Sequence, residues 1–211
     1  PLRPGAPRMK VGMIFESRRD GADGAVCRIL ANRIRPGVEV AEPAWLDSKK
    51  KLIQQCGNAA LDLLTIERCD RVFVVWDLLP SWPEKTDKPC RYRDRQDVLK
   101  SLTAAGVPLD RVVLVCITET LEAWLLADGR ALTQVLSTPS HAFPVPDIKK
   151  PDRQSNPKAT LDAWFQKAPG QRRYKNNERV WAERIVKALP DLKRIRRSQS
   201  FARFEQKLAA P

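Results

Sequence analysis

Residues 71–77 read RVFVVWD, and this run is the strongest indication of the fold class. Valine and aromatic residues favour extended backbone, and a short apolar run without alternation is typical of a strand buried on both faces. Residues 10–15 (KVGMIF) and 111–117 (RVVLVCI) have the same character. Apolar residues at helical spacing lie between these runs. Such alternation predicts an α/β fold, a mainly parallel sheet with helices on both faces.

The remaining elements are predicted from spacing and from capping residues. Before residue 137 we expect a short strand at 38–40 and helices at 25–34, 49–64, 94–105 and 118–128. Five prolines between residues 137 and 157 indicate a long loop, after which helices are expected at 158–167, 177–189 and 200–209. The expected organisation is a leader at 1–9, disordered or foreign to the natural chain, an α/β core at 10–136, and a basic, helical C-terminal region at 137–211 that packs on the core.

The composition excludes several classes of protein. The 211 residues are 43% hydrophobic and 30% charged, which is typical of a folded globular chain. Its longest apolar runs are far shorter than the ~18 residues that cross a bilayer, so no membrane span is expected. Five cysteines without a CxxC pair favour a reducing cytoplasm. With one histidine and no glycine-rich phosphate loop, any chemistry must come from carboxylates, lysines, arginines and a metal.

The positive charge is concentrated near the C-terminus. The net charge is +13, and residues 141–211 hold 17 basic against 7 acidic side chains. A concentrated basic surface favours nucleic acid, either DNA or RNA, because each phosphate contact releases counterions. The alternatives are an acidic partner and a basic surface that serves solubility alone. The densest basic stretch supplies the predicted phosphate-binding residues, which are Arg194, Arg196, Arg197, Arg203 and Lys207.

Acidic residues fall where the predicted strands end. Glu16 follows the first run, Asp77 ends the second, and Glu119 and Glu122 open the helix predicted after the third. Ligands of open parallel sheets bind at the carboxyl ends of the strands, so these acids are expected to meet at one edge. Oxygen ligands alone favour Mg²⁺ or Mn²⁺. The competing interpretation is that each acid only caps its own turn or helix.

These residues resemble a known arrangement. The order of Glu16, Asp77 and Glu119/Glu122 is similar to the TOPRIM core of topoisomerases, primases and OLD-family nucleases, with Gly21 and Asp20 or Asp23 completing the first part. The chain more closely resembles a family of mostly uncharacterised bacterial proteins with a TOPRIM-like core, domain of unknown function 4276. This resemblance rests on GADGAV (21–26), VVWD (74–77), ETLEAWLLAD (119–128), NPK (156–158), YK (174–175) and RRSQSFARFEQKL (196–208).

The resemblance implies a Mg²⁺-dependent nuclease, or another nucleic-acid-processing protein, in phage defence beside an ATPase. In that role Glu16 would be the general base or a base-side metal ligand, and Asp77 would be the principal ligand. Lys158 and Lys175 are the candidates to stabilise charge on the phosphate, unless they are ordinary surface lysines.

The chain departs from the TOPRIM pattern at one position. Asp77 is followed by two leucines, so the second acid of Asp-x-Asp is missing. Its place would be taken by Glu84 or Asp87, or by Glu119 and Glu122. Otherwise the protein is a non-catalytic nucleic-acid-binding or ATPase-partner subunit with a degenerate metal site.

Overall fold

A computed structural model describes residues 8–80, 89–170 and 173–210. Its strands are β1 (Lys10–Phe15), β2 (Glu39–Val40), β3 (Ala44–Trp45), β4 (Arg71–Asp77) and β5 (Val112–Ile117). They form one parallel sheet of order β2-β1-β4-β5, in which β3 also pairs with β1, further along it than β2. The helices are α1 (Ala22–Ile34), α2 (Lys49–Thr65), α3 (Arg91–Ala104), α4 (Glu122–Leu126), α5 (Gly129–Leu136), α6 (Pro157–Lys167), α7 (Glu178–Ala188) and α8 (Gln199–Ala209).

Helices cover both faces of the sheet, as the uninterrupted apolar strands predict. In β4, Phe73 and Val75 join the hydrophobic core beneath α1, α7 and α8. Val72, Val74 and Trp76 join a second core beneath α2 and α3. Each fully buried side chain of this size contributes about 1.5–3 kcal/mol of transfer free energy. The α/β prediction with helices on both faces is therefore confirmed.

The C-terminal helices share the first of these cores. Phe204 of α8 lies 5.7 Å from Phe73, ring centre to ring centre, and Phe201 lies 5.4 Å from Trp124. The Trp124 indole Nε1 also donates a hydrogen bond to Ser200 Oγ at 2.8 Å. These contacts tie α8 to β4 and α4, so the basic C-terminal region is held against the strands by buried aromatic rings.

The helix predicted at 118–128 is wrong in two respects. It begins only at Glu122, because Glu119 has a left-handed backbone with φ of 64° and cannot continue a right-handed helix. It also ends early, because the Asp128 carboxylate caps a new helix, α5, by accepting a hydrogen bond from the Arg130 backbone at 2.9 Å. Glu119 and Glu122 therefore do not share a first helical turn.

Two further features of the fold are a close helix crossing at Gly57 and an open sheet edge at β5. Gly57 lets α2 and α3 cross closely, since a Cβ at this position would lie 2.2 Å from the Ser101 carbonyl oxygen. β5 is an edge strand, and its first three residues, 112–114, are only half-buried, where the sequence predicted full burial.

Among the helices of the described ranges, none combines the length and the apolar character that crossing a membrane requires.

Candidate functional site

Four acidic residues stand at the carboxyl edge of the sheet. β1 and β4 are paired neighbours, so Glu16, which follows β1, lies beside the end of β4, where Asp77 stands. Asp23 joins them from the first turn of α1, and Glu122 joins them from the start of α4. The charge of each of the other three acids acts on Asp77. The structure thus places Glu16, Asp77 and Glu122 at the same edge of the sheet, and the use of these acids as one site stays a prediction.

Two carboxylate oxygens of this cluster are buried without a hydrogen-bond partner. Among the described residues, nothing donates to Glu16 Oε2 or Asp77 Oδ1, and the Thr120 hydroxyl also has no hydrogen-bond partner. A buried polar atom left unpaired costs about 1–3 kcal/mol, and folded proteins rarely leave one so. Several such oxygens at one edge of the sheet indicate a place built to receive a ligand.

Burial, with repulsion from nearby acids, raises the pKa values of Glu16, Asp77 and Asp23. Burial is the main cause that raises the pKa of Glu16 to about 8, with Lys49 opposing the rise and Asp23 adding to it. Burial, then Asp23, then Glu16 hold the pKa of Asp77 well above its ordinary value. The pKa of Asp23 is raised as well, again chiefly by burial. Without a cation, like charges so close disfavour the ionised forms of one another.

A buried lysine, Lys49, lies beside the acids and was missed by sequence reasoning. Its Nζ donates to the carbonyl oxygens of Leu78 at 2.9 Å and Pro80 at 2.7 Å, and stands 3.5 Å from Asp94 Oδ2. It therefore fixes the chain that leaves β4 just after Asp77. Its position in the sequence could have indicated a special role, because a lysine in the first turn of a helix is unfavourable next to the positive end of the helix dipole.

Lys158 reaches the cluster from α6. Its ammonium pairs with the Glu178 carboxylate at 2.7 Å. Burial lowers the pKa of Lys158, but the hydrogen bond to Glu178 and the nearby charges of Glu122 and Asp23 outweigh it and raise that pKa. The Tyr174 hydroxyl, also missed from sequence, donates to Glu122 Oε1 at 3.2 Å. Lys158 is therefore a neighbour of the acids rather than an isolated surface lysine.

Lys175 lies on the wall of a groove next to the cluster. The groove has a volume of about 540 Å³, and its walls include Arg18, Asp20, Glu178 and Arg179. Glu178 joins the groove to the acids, because its carboxylate is the partner of Lys158. The arrangement puts three cations, on Arg18, Lys175 and Arg179, within one cleft beside the acids.

The predicted metal ligands are only partly assembled. Glu119 is half-buried, and its backbone carbonyl accepts a hydrogen bond from the Leu79 N–H at 3.2 Å. In the part of the chain that the structure describes, no three carboxylate, histidine or cysteine side chains form a ready ligand set. Glu84 and Asp87, the alternative second acids, lie outside the described residues.

The predicted phosphate-binding residues are divided between two environments. Arg194 and Arg197 both pair with Asp147, and Arg196 makes a two-pronged pair with Glu205 at 2.6 and 2.7 Å. Arg203 and Lys207 instead line a separate groove beside β5. The first three side chains already have carboxylate partners. Their binding of phosphate stays a prediction.

Fold and site define a parallel α/β protein with a partly buried group of acidic residues at the carboxyl edge of its sheet. The chain belongs to the family described as Domain of unknown function (DUF4276), which matches residues 28–209. This match confirms the resemblance to domain of unknown function 4276. It includes Asp77, Glu122 and Lys158 and begins after Glu16 and Asp23. No curated protein and no solved structure matches the chain.

Proposed function

We propose that the protein is a Mg²⁺- or Mn²⁺-dependent nuclease of TOPRIM-like type, which hydrolyses phosphodiester bonds of DNA or RNA. One observation carries the proposal. Glu16 Oε2 and Asp77 Oδ1 are buried and unpartnered among the described residues, at the ends of adjacent parallel strands. Acids that serve only as caps would use these oxygens on backbone N–H groups, as Asp128 does.

The donor chemistry fits a hard divalent cation. Carboxylate and hydroxyl oxygens are the ligands that Mg²⁺ and Mn²⁺ prefer, and Mg²⁺ keeps several waters, so two or three protein ligands suffice. We assign Glu16 and Asp77 as ligands, with Glu122 and Glu119 as the further candidates. A bound cation would supply Lewis-acid activation of the phosphate and of the attacking water.

The chain's own residues would perform the remaining steps. Water attacks phosphorus, a P–O bond to water forms, and the ester P–O bond to the leaving oxygen breaks. Glu16 accepts the proton of the attacking water, or orients that water as a base-side ligand. Lys158 and Lys175 stabilise the charge on the phosphate oxygens, and solvent returns a proton to the leaving oxygen.

The groove beside the acids supports a polyanionic substrate. Arg18, Lys175 and Arg179 share this open cleft, whereas a small-molecule phosphatase would need a closed pocket around the same acids. A strand of nucleic acid that follows the groove would bring its phosphates past Glu178 and Lys158 to the acidic cluster.

Cleavage of plasmid DNA and of single-stranded RNA, with and without Mg²⁺ or Mn²⁺, tests the proposal. We expect metal-dependent cleavage that Glu16→Gln and Asp77→Asn each abolish. Glu39→Gln is the matched control, because Glu39 is exposed on β2 and pairs only at 3.5 Å with Lys10. Cleavage that survives both site substitutions, or that the control also removes, would refute the assignment.

A non-catalytic role is the second candidate. It is favoured by the missing second acid after Asp77 and by the lack of a ready three-ligand set among the described residues. Such a subunit would bind nucleic acid, or a partner ATPase, through its basic surface. Nucleic-acid binding that persists in Glu16→Gln and Asp77→Asn, together with no cleavage under any metal, would establish this alternative.

A further inference from the structure

A second groove lies along the outer edge of the sheet, away from the acids. Its volume is about 580 Å³, and its floor is formed by Val112, Val113 and Leu114 of β5. α3 contributes Arg95 and Leu99 to its lining, and α8 contributes Arg203 and Lys207. These floor residues belong to the first half of β5, whereas the acidic cluster follows the strand ends. The groove is therefore independent of the proposed nuclease site.

The floor offers unused backbone hydrogen bonds. β5 is the last strand in the sheet order, so within the described ranges no strand pairs with its outer edge. An open strand edge presents a row of N–H and C=O groups that can pair with an added strand. Half-buried valine and leucine side chains on this strand give an added strand apolar contacts on alternate positions.

The rim of the groove is strongly basic. The Arg95, Arg203 and Lys207 side chains are exposed and pair with no carboxylate among the described residues, and Asp110 is the one acid of the lining. Arg71 is different, because its guanidinium donates to the carbonyl oxygens of Lys207 and Ala210 and so holds the end of α8 in place. With Arg71 the lining holds four cations and one acid, an excess of positive charge that attracts an acidic occupant and repels a basic one.

We propose that this groove binds an extended acidic peptide segment of a partner protein, which adds to β5 as a further strand. Backbone pairing with β5 supplies the affinity. The alternate side chains of the segment meet the apolar floor, and its acidic side chains meet Arg95, Arg203 and Lys207. Nucleic acid fits less well, because the described lining contains no aromatic ring for base stacking and its floor is a strand edge.

Fluorescence anisotropy with labelled octapeptides tests this proposal. The probe is a set in which glutamate alternates with valine, isoleucine, leucine or phenylalanine, and the comparison set carries lysine in place of glutamate. We expect saturable binding of the acidic set only, weakened about tenfold or more by the double charge reversal Arg203→Glu with Lys207→Glu. Lys149→Glu with Lys150→Glu reverses two exposed lysines of the 137–157 loop and changes the net charge equally; this matched control should bind as the parent does.

Two further measurements separate strand addition from simple charge attraction. Peptides N-methylated at every second residue keep their charge but lose backbone donors, and we expect them to bind at least about tenfold more weakly. Hydrogen exchange at residues 112–114 should slow when the acidic peptide is added. Binding that ignores N-methylation, no binding by any acidic octapeptide, or tighter binding of a single-stranded oligonucleotide at this groove would each overturn the proposal. Glu16→Gln should leave peptide binding unchanged, so its outcome is separate from that of the nuclease test.

Discussion

Replacing Glu16 by glutamine should stabilise the metal-free protein by an amount that grows with pH. Burial raises the pKa of Glu16 from 4.5 to about 8 in the folded chain. Between these values the unfolded chain has an ionised Glu16 while the folded chain keeps the proton. The folded state then binds more protons, so stability falls as pH rises through this window and changes no further above it. Glutamine does not ionise in this pH range, so the Glu16→Gln variant does not lose stability in this way.

The expected size follows from the same two pKa values. Each pH unit between them corresponds to about 1.36 kcal/mol, so pH 7 lies about 2.5 pH units into the window and the loss amounts to about 3 kcal/mol. For a urea m-value of about 2 kcal/mol/M, the midpoint of the Glu16→Gln variant should lie about 1.5 M higher at pH 7. At pH 4.5 or below, the two midpoints should nearly coincide.

Urea unfolding in EDTA from pH 4 to pH 8, followed by circular dichroism, measures this difference. Glu39→Gln, the exposed control on β2, should show no comparable slope. Saturating Mg²⁺ should stabilise the parent, by about 2.7 kcal/mol at a hundredfold excess over the dissociation constant, and stabilise Glu16→Gln much less. A gain that is constant across pH, or a loss of stability at pH 8, would refute the view that burial outweighs the groups that stabilise the charge of Glu16.

The remaining predictions concern residues that hold the site in place. Gly57→Ala should destabilise the fold by about 1–3 kcal/mol in thermal unfolding, because overpacking against the α3 backbone outweighs the gain in helix propensity of about 1 kcal/mol; an increase in melting temperature would contradict the close crossing. Lys49→Met should lower the free energy of unfolding by about 3–5 kcal/mol, because the buried Asp94 carboxylate loses its cation. Lys51→Met on the same helix should lower it by less than about 1 kcal/mol. Equal losses would show that the buried contacts of Lys49 do not stabilise the fold. Burial raises the pKa of Asp128, but hydrogen bonds from Arg130 outweigh it and hold that pKa below 3.8, so its stabilisation is present at neutral pH and is lost as pH falls through the lowered value. Asp128→Asn should therefore cost about 1.5–3 kcal/mol at pH 7 and progressively less below pH 4 in urea unfolding, and a cost that does not change with pH would contradict the ion pair.

The cost of the acidic cluster is consistent with a functional role. Glu16 and Asp77 keep buried, unpaired oxygens within the described structure, and burial raises the pKa of both, with the charge of Glu16 adding to the rise at Asp77. A fold selected for stability alone would place amides or apolar side chains there. Such uncompensated features concentrate where a protein binds or reacts, since a ligand then supplies the missing partner.

Local sequence patterns determined the architecture and the location of the site. The apolar runs in β1, β4 and β5 predicted a buried parallel sheet, because only strands covered on both faces lack alternation. The acids at Glu16, Asp77 and Glu122 were found from their positions just after those runs. Parallel strands end at a common edge, so position along the chain was enough to place these three residues at the same edge of the sheet; that they act together as a site stays a prediction.

Which charges are already neutralised depends on contacts between distant parts of the chain. The C-terminal arginines look alike in sequence, yet Arg194 and Arg197 share Asp147, which lies 47 and 50 positions earlier, while Arg203 remains exposed at the β5 edge. Lys49 likewise cannot be told from the adjacent lysines by sequence, but in the fold its position on α2 places it beside the end of β4. Hydrophobic periodicity arises from interactions between residues that are close in sequence, so it can be read from the sequence. Ion pairing depends on which distant segments come together, and the packing of the whole core determines those contacts.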